Sequence, residues 1–170
     1  GWDVPRFAAE GQTAEEAAAN PSLNLESIHP NYFETFEVPL VRGRAFTAAD
    51  RKGAIPVAIL SEDIAARTWP GEDPIGKRVQ RSNGTPWRTV VGVIRYEKQV
   101  TLEEEPPIRV YFPIDQNPAG TRYLIARAHS DSAQLTASIT EEIRALDPEL
   151  PVYDVYSMDQ RLNDSLARRR

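Results

Sequence analysis

The stretch over residues 55–95 most constrains what this 170-residue chain can fold into. It begins with an apolar run at 57–60, which predicts a buried strand. Ser61 comes next, and its hydroxyl can cap a helix whose apolar residues recur at helical spacing. The later run over 87–95 is rich in β-branched residues, as is typical of a strand covered on both faces. The stretch therefore predicts two buried strands with a helix after the first.

Two turn signals divide this stretch further. Pro70-Gly71 predicts the end of the helix. Asn83-Gly84 is a two-residue hairpin signal, and it lies between the strand-like run that begins at Lys77 and the strand over 87–95.

The remaining elements are shorter and are predicted from alternation, helical spacing and capping signals. Residues 1–20 form a poorly structured lead-in segment, with at most a short helix over 13–19. The predicted strands lie at 23–28, 40–42, 109–112, 123–128 and 152–156. Two short helices are predicted at 31–36 and, as a single turn, at 47–50. A longer helix is predicted after Asp131, with an apolar stripe of Leu135, Ile139, Ile143 and Leu146. A last helix is predicted after a Ser157–Gln160 capping box. This order predicts an α+β fold with helices packed on one sheet.

Composition excludes several classes of protein. The net charge of -5 argues against general nucleic-acid binding, which needs a basic surface. Cysteine is absent, so a disulfide framework and thiolate chemistry are excluded. No run approaches 18 apolar residues, the chain begins at Gly1 rather than Met, and the sequence shows no signal-peptide pattern. We therefore expect the chain to be a piece of something longer.

The stretch over 71–77 matches the first seven positions of a phosphate-binding loop. Such a loop needs a strand before it and a helix after it, whereas here a helix precedes and a strand follows. Arg78 stands where a Ser or Thr would bind magnesium, and Glu72 and Asp73 would repel phosphate. The sequence therefore predicts a structural turn, without ATP binding.

Other residues that can do chemistry are scattered. His29 and His129 lie far apart without a nearby Cys or His, so a zinc site is not expected. Carboxylates at helix starts and in loops are usually caps or solvated charge. Those weighed for acid/base work are Asp63, Asp73, Asp115 and Glu103 to Glu105. Ser61 and Ser157 are explained as caps. The glycosylation pattern at Asn83 is better explained as a hairpin turn, and that at Asn163 lies on a predicted helix. We therefore predict no catalytic, cofactor or metal site.

The basic end of the chain, Arg168-Arg169-Arg170, admits three interpretations. It can be a solvated helix end that complements the helix dipole, a nucleic-acid patch, or the flank of a membrane helix that follows. What comes after Arg170 would decide among them.

Several blocks together resemble the extracytoplasmic core domain of MacB-like and FtsX-like ABC transporter permeases, particularly the acidobacterial-type subgroup. Residues 31–46 are similar to the "YFETLGIPLLRGRDF" block of that family. The other similar blocks lie at 58–77, 87–93 and 146–167, and the resemblance covers about 23–170.

The resemblance implies a porter-like α/β subdomain formed by both chain ends, at 21–52 and 118–170, with a mostly β subdomain inserted at 53–117. It also implies a non-catalytic domain on the periplasmic face of the bacterial inner membrane, which transmits conformational change or contacts partners. The implied partners are membrane helices of the same chain, a cytoplasmic ATPase, a second permease copy and a periplasmic adaptor, but no nucleic acid.

Two alternatives from other classes stay open. The chain can be a soluble ligand-binding or hydrolase domain, with a cleft between subdomains lined by Asp73, Lys77 and Asp115. It can also be a purely structural scaffold.

Overall fold

The structure is a computed structural model that describes residues 7–20, 24–81, 85–95, 109–118, 123–128, 132–157 and 160. It divides into two compact units, Gly1–Leu124 and Ile125–Arg170, and each is described by itself below. None of the helices in the described ranges has both the length and the apolar character needed to cross a bilayer.

The first unit contains seven strands and three helices within its described residues. In chain order they are β1 (Phe7–Ala9), α1 (Ala14–Ala19), β2 (Asn24–Ile28), α2 (Tyr32–Thr35), β3 (Leu40–Gly43), β4 (Val57–Ser61), α3 (Glu62–Thr68), β5 (Arg78–Arg81), β6 (Arg88–Ile94) and β7 (Arg109–Pro113). The strands predicted at 23–28, 40–42, 57–60, 87–95 and 109–112 are thereby confirmed, as are the helices at 31–36 and after Ser61.

All seven strands belong to one mixed sheet with the order β1-β5-β6-β4-β7-β2, and β3 also pairs with β6. The β4–β6 and β2–β7 pairs are parallel, and the other pairs are antiparallel. Phe7 at one end of this order and Leu25 at the other line the same small cavity. The sheet therefore curls into a half-barrel, which confirms the predicted α+β class.

Strand β4 is the centre of this sheet, and all five of its residues are buried. Because side chains alternate along a strand, its residues contribute to two separate apolar cores. Ala58 and Leu60 pack in a core with Trp69 of the α3 end, while Val57 and Ile59 pack in a core on the other face. Burying both faces of one strand explains why its sequence is an unbroken apolar run.

Ser61 does not cap α3 as the sequence predicted. It occupies the N-cap position, yet its side chain makes no capping hydrogen bond. Its Oγ atom is buried and has no hydrogen-bond partner in the described structure. Ser61 is also the last residue of β4, opposite Ile94 of β6, and the strand register therefore fixes where its side chain lies.

The lead-in segment is more ordered than the sequence suggested. The helix expected over 13–19 is present as α1, with a complete capping box between Thr13 and Glu16. Strand β1 was not predicted, and it pairs antiparallel with β5. Three residues are too few to show the alternation on which a strand prediction depends.

The one helical turn predicted over 47–50 is instead a non-helical turn. Its Asp50 N–H donates to Thr47 O at 3.0 Å, and the Asp50 carboxylate accepts from the Thr47 N–H at 2.8 Å. The hydrogen bond from the Thr47 N–H to the Asp50 carboxylate, which is one of the two bonds of a capping box, therefore forms although no helix follows.

The second unit contains α4 (Ser132–Leu146), which confirms the helix expected after Asp131. None of the described residues of α4 is buried, and Leu146 is 85% exposed, so the apolar stripe does not enter a core here. The Ser157–Gln160 capping box is confirmed, because Ser157 N–H donates to Gln160 Oε1 at 2.9 Å and Gln160 N–H donates to Ser157 Oγ at 3.2 Å. The helix expected beyond it lies outside the described residues.

The strands predicted at 123–128 and 152–156 are wrong for this structure. Both segments have no strand assignment, and their large apolar side chains are largely exposed, among them Tyr123, Leu124, Tyr153, Val155 and Tyr156. A strand exists only where a neighbouring strand takes its main-chain hydrogen bonds, and alternation along the sequence cannot supply that neighbour.

The predicted division into a porter-like part at 21–52 and 118–170 and an inserted part at 53–117 stays a prediction. The half-barrel sheet draws strands from both parts, since β2 and β3 come from 21–52 and β4 to β7 from 53–117.

Candidate functional site

The stretch that resembles a phosphate-binding loop is a turn between α3 and β5, as the sequence predicted. Lys77 forms an ion pair with Glu72, and its Nζ atom lies 5.5 Å from the centre of the Trp69 ring. Asp73 accepts a hydrogen bond from the Ile75 N–H at 3.1 Å. Lys77, Glu72 and Asp73 therefore stabilise the conformation of this turn.

The other candidate groups that the structure describes are dispersed. His29 Nδ1 lies 2.9 Å from Asn31 Oδ1 at the surface. Asp63 is exposed in the first turn of α3, where a carboxylate complements the helix dipole, and Asp115 is exposed in the turn after β7. Across the described ranges, no group of three His, Cys, Asp or Glu side chains could hold a metal ion.

Several candidates lie outside the described residues. They are Asn83, Glu103 to Glu105, His129, Asn163 and Arg168 to Arg170. The expectations stated for them stay predictions.

The hypothetical cleft lined by Asp73, Lys77 and Asp115 finds no support in the described contacts. Asp73 lies 3.6 Å from Arg42, and Lys77 pairs with Glu72, so these two charges have other partners. No hydrogen bond or ion pair joins any of the three residues to another among the described side chains.

An ion pair with a buried carboxylate and a half-exposed guanidinium closes the loop after β3. Arg44 donates to both carboxylate oxygens of Asp50, from Nη1 at 2.7 Å and from Nη2 at 2.9 Å. The Asp50 side chain is 7% exposed, whereas that of Arg44 is 48% exposed. The side-chain hydrogen bonds from Arg44 hold the pKa of Asp50 below its ordinary value, against the opposing effect of burial. This bidentate geometry is a strong form of charge-assisted hydrogen bond, and here it shapes the loop.

A buried arginine at the start of β6 is the polar feature that sequence reasoning missed. Arg88 is only 8% exposed, and its guanidinium lies 4.2 Å from the centre of the Phe112 ring. Its Nη1 atom lies 3.4 Å from Gln116 Oε1. Burial lowers the pKa of Arg88, which is the expected effect of desolvation on a cation. No acidic neighbour in the sequence marks this position, so only the fold reveals it.

Gln116 joins that arginine to the loop before β4. Its Oε1 atom accepts from the Val57 N–H at 3.0 Å, and its Nε2 donates to Ile55 O at 3.0 Å. A side-chain amide therefore satisfies two main-chain groups of this loop. Like the Arg44–Asp50 pair, it stabilises a loop.

Comparison with known proteins gives a consistent result. Residues 4–146 match the sequence model of the family described as the MacB-like periplasmic core domain. A curated relative, the macrolide export ATP-binding/permease protein MacB of Rhodospirillum rubrum, is 26% identical over 125 residues. That match covers 71% of this chain but only 19% of the relative, so the chain spans about a fifth of the length of that protein.

Solved structures show the same fold. The periplasmic region of MacB from Actinobacillus actinomycetemcomitans superposes with a TM-score of 0.61 at 21% identity, over 84% of this chain and 62% of that one. A domain of a permease protein from Porphyromonas gingivalis gives a TM-score of 0.56 at 16% identity, over 92% of this chain and 76% of that one.

Proposed function

We propose a mechanical function, from the premise that this chain belongs to the family of MacB-like periplasmic core domains. It is a periplasmic domain of a MacB/FtsX-type ABC permease. In our proposal the domain transmits conformational change or contacts partners during efflux or export, and it catalyses no reaction. The acidobacterial-type subgroup stays a prediction.

One observation carries the proposal: the Arg44–Asp50 and Lys77–Glu72 ion pairs hold a loop and a turn beside a continuous sheet. The Arg44–Asp50 and Lys77–Glu72 pairs are local, and each lies within one loop or turn. The sheet itself extends from β1 at one end to β2 at the other, with a fully buried central strand. A body of this kind has few internal degrees of freedom and can pass on a displacement applied at one end.

The family and the name of the relative, an ATP-binding/permease protein, support the proposed partners. They are membrane helices of the same polypeptide, a cytoplasmic ATPase, a second permease copy and a periplasmic adaptor. ATP hydrolysis on the cytoplasmic side would then supply the work, and this domain would receive it through the membrane helices.

Distance measurements between spin labels test the proposal in the full-length permease with the ATPase that drives it. The 170 residues contain no cysteine, so introduced cysteines label at chosen positions in this domain. Gly53→Cys lies in an exposed turn of the first unit, and Glu141→Cys lies on an exposed part of α4 in the second unit. We expect their distance distribution to differ between the nucleotide-free and the ATP-trapped transporter.

The matched control pairs Gly53→Cys with Ala66→Cys, an exposed residue of α3 within the same unit. We expect no change for this pair, since both labels belong to one sheet-based body. Identical distributions in both nucleotide states for the Gly53–Glu141 pair would contradict transmission between the units. Changes within the control pair would instead contradict the rigidity of the half-barrel.

A further inference from the structure

The turn after β7 is the place where the chain leaves the first unit. Strand β7 ends at Pro113, and the turn over residues 114–118, called the exit turn below, follows it. The second unit begins at Ile125. Because the division falls at one point of a continuous chain, the two units have a single covalent link. Any relative displacement of the two units therefore loads the end of β7 through the main chain.

The main chain of β7 turns away from β4 just before this exit. The antiparallel register aligns Ile59 with Tyr111, and continuing it would set Val57 opposite Pro113. Pro113 has no N–H to donate, and its oxygen accepts from the Gln116 N–H of the exit turn at 3.0 Å. The pairing of β7 with β4 therefore needs another group at this end.

The Gln116 side chain supplies that group. Its Oε1 atom accepts from the Val57 N–H at 3.0 Å, and its Nε2 donates to Ile55 O at 3.0 Å. Arg88 Nη1 lies 3.4 Å from the same Oε1. Because a guanidinium has donors only, it favours the amide orientation in which the oxygen faces Arg88 and the nitrogen faces Ile55. The side chain thus ties the exit turn to the start of β4.

The next residue ties the exit turn to the strand on the other side of β7. Asn117 Nδ2 donates to Ser27 Oγ at 2.6 Å, and Ser27 belongs to β2, 90 positions earlier in the chain. In the sheet order β7 lies between β4 and β2. Two consecutive side chains therefore fasten the exit turn to both strands that flank β7.

We propose that Gln116 and Asn117 are positioning residues for mechanical transmission, which brace the exit turn so that a displacement of the second unit moves the half-barrel as a whole. This inference rests on the mechanical function proposed above. Without the brace, a pull on the exit turn would load the hydrogen bonds at the end of β7 one after another. With the brace, β2, β4 and β7 are loaded together.

The test measures the distance between spin labels at Ala66→Cys on α3 and Asp115→Cys in the exit turn, both of which are exposed positions. The protein is the full-length permease with the ATPase that drives it. With the brace intact, we expect the same narrow distribution in the nucleotide-free and the ATP-trapped transporter. In the double variant Gln116→Ala with Asn117→Ala, we expect the distribution to shift and broaden in the ATP-trapped state relative to the nucleotide-free state.

The dependence on nucleotide separates a brace under load from a merely structural role. Equal broadening of the double variant in both nucleotide states would show that the two side chains only shape the turn, and would overturn the proposal. The Gly53–Glu141 label pair described above is measured in parallel. If the distance of that pair does not depend on nucleotide, the mechanical function fails and the brace falls with it. If it does, and the double variant behaves like the protein with the intact brace, the brace alone is overturned.

Two further variants serve as controls for the double variant. Gln12→Ala removes an amide whose Oε1 accepts from the Ala9 N–H of β1 at 2.9 Å, and should leave the distance to the exit turn unchanged in both states. Ser27→Ala removes the bond to Asn117 from the β2 side and should give a smaller broadening in the ATP-trapped state. Equal broadening in Gln12→Ala and the double variant would show that loss of any such bond loosens the sheet, and would overturn the proposal.

Discussion

Asp50 accepts hydrogen bonds from both terminal guanidinium nitrogens of Arg44, and the same carboxylate accepts from the Thr47 N–H. Three donors therefore converge on one side chain that is almost completely buried. The two residues are only six positions apart in the chain, so the pair fixes the conformation of the loop that connects β3 toward β4. Such a carboxylate stabilises the fold only while it is ionised.

Asp50→Asn should lower the free energy of unfolding by about 2 kcal/mol at neutral pH, because the amide can accept at one atom only. The pKa of Asp50 is lower in the folded chain than in the unfolded one, where it is about 3.9. Its contribution is therefore fully present above that pH and is lost as the pH falls through the folded-state pKa. The free energy of unfolding, measured with urea at a series of acidic pH values, should fall less steeply with decreasing pH in Asp50→Asn than in the unmodified chain.

Glu10→Gln is the matched control for that experiment. Glu10 also pairs with an arginine, Arg78, but both side chains are about half exposed. Exposed pairs add little to stability because water screens them. We expect the pH dependence of the unfolding free energy to change less in Glu10→Gln than in Asp50→Asn. Equal changes in the two variants would contradict the special role of the Arg44–Asp50 pair.

Two glycines stand opposite each other where β3 meets β6, at Gly43 and Gly92. A Cβ atom on Gly92 would clash with the main-chain oxygen of Arg44 and would lie 3.2 Å from Ile59 Cγ1. Gly92→Ala should therefore destabilise the domain by at least about 3 kcal/mol, because backbone atoms cannot move aside cheaply. Thermal unfolding of the purified chain measures this effect.

The control for Gly92→Ala is Gly53→Ala in an exposed turn. Gly53 has a φ of +89° but nothing within 4 Å of an added Cβ. We expect a cost of about 1 kcal/mol there from the left-handed backbone alone. Similar costs at the two positions would show that β3 and β6 can separate to accept the methyl group.

Strands and helices were predicted correctly where several sequence signals agree with one another. The β4–α3–β6 stretch was predicted correctly because an unbroken apolar run, a helical stripe and a β-branched run all agree with the buried centre of a sheet. The segments 123–128 and 152–156 also resemble strands in sequence, but they have no neighbouring strand among the described residues. The burial of Arg88 was not predicted, because the residues around it come from β7 and the turn after it, which are distant in the chain.

Ser61 provides a direct test of the capping rule that the sequence suggested. A serine that caps a helix costs about 1 kcal/mol when replaced by alanine. Here the Oγ atom is buried without a partner, so Ser61→Ala removes an unsatisfied polar atom. We expect the variant to be as stable as the unmodified chain or more stable by up to about 1 kcal/mol.

Thr13→Ala is the matched control, because the Thr13 side chain accepts from the Glu16 N–H at 3.2 Å and completes a capping box. Chemical denaturation should show a loss of about 1 kcal/mol for this variant. If Ser61→Ala loses as much as Thr13→Ala, the Ser61 hydroxyl has a hydrogen-bond partner in solution.

Gln116 is predicted to control the loop before β4. In Gln116→Ala the Val57 N–H loses its acceptor, and the main-chain oxygen of Ile55 loses its donor. Hydrogen exchange at the Val57 amide should therefore accelerate, while exchange at Ile59 in the middle of β4 should not change. Asn117→Ala is the adjacent control, since Asn117 Nδ2 donates to Ser27 Oγ at 2.6 Å and does not bond to this loop. Unchanged exchange at Val57 in Gln116→Ala would show that Gln116 does not hold the loop, and acceleration in both variants would indicate general loosening around β7.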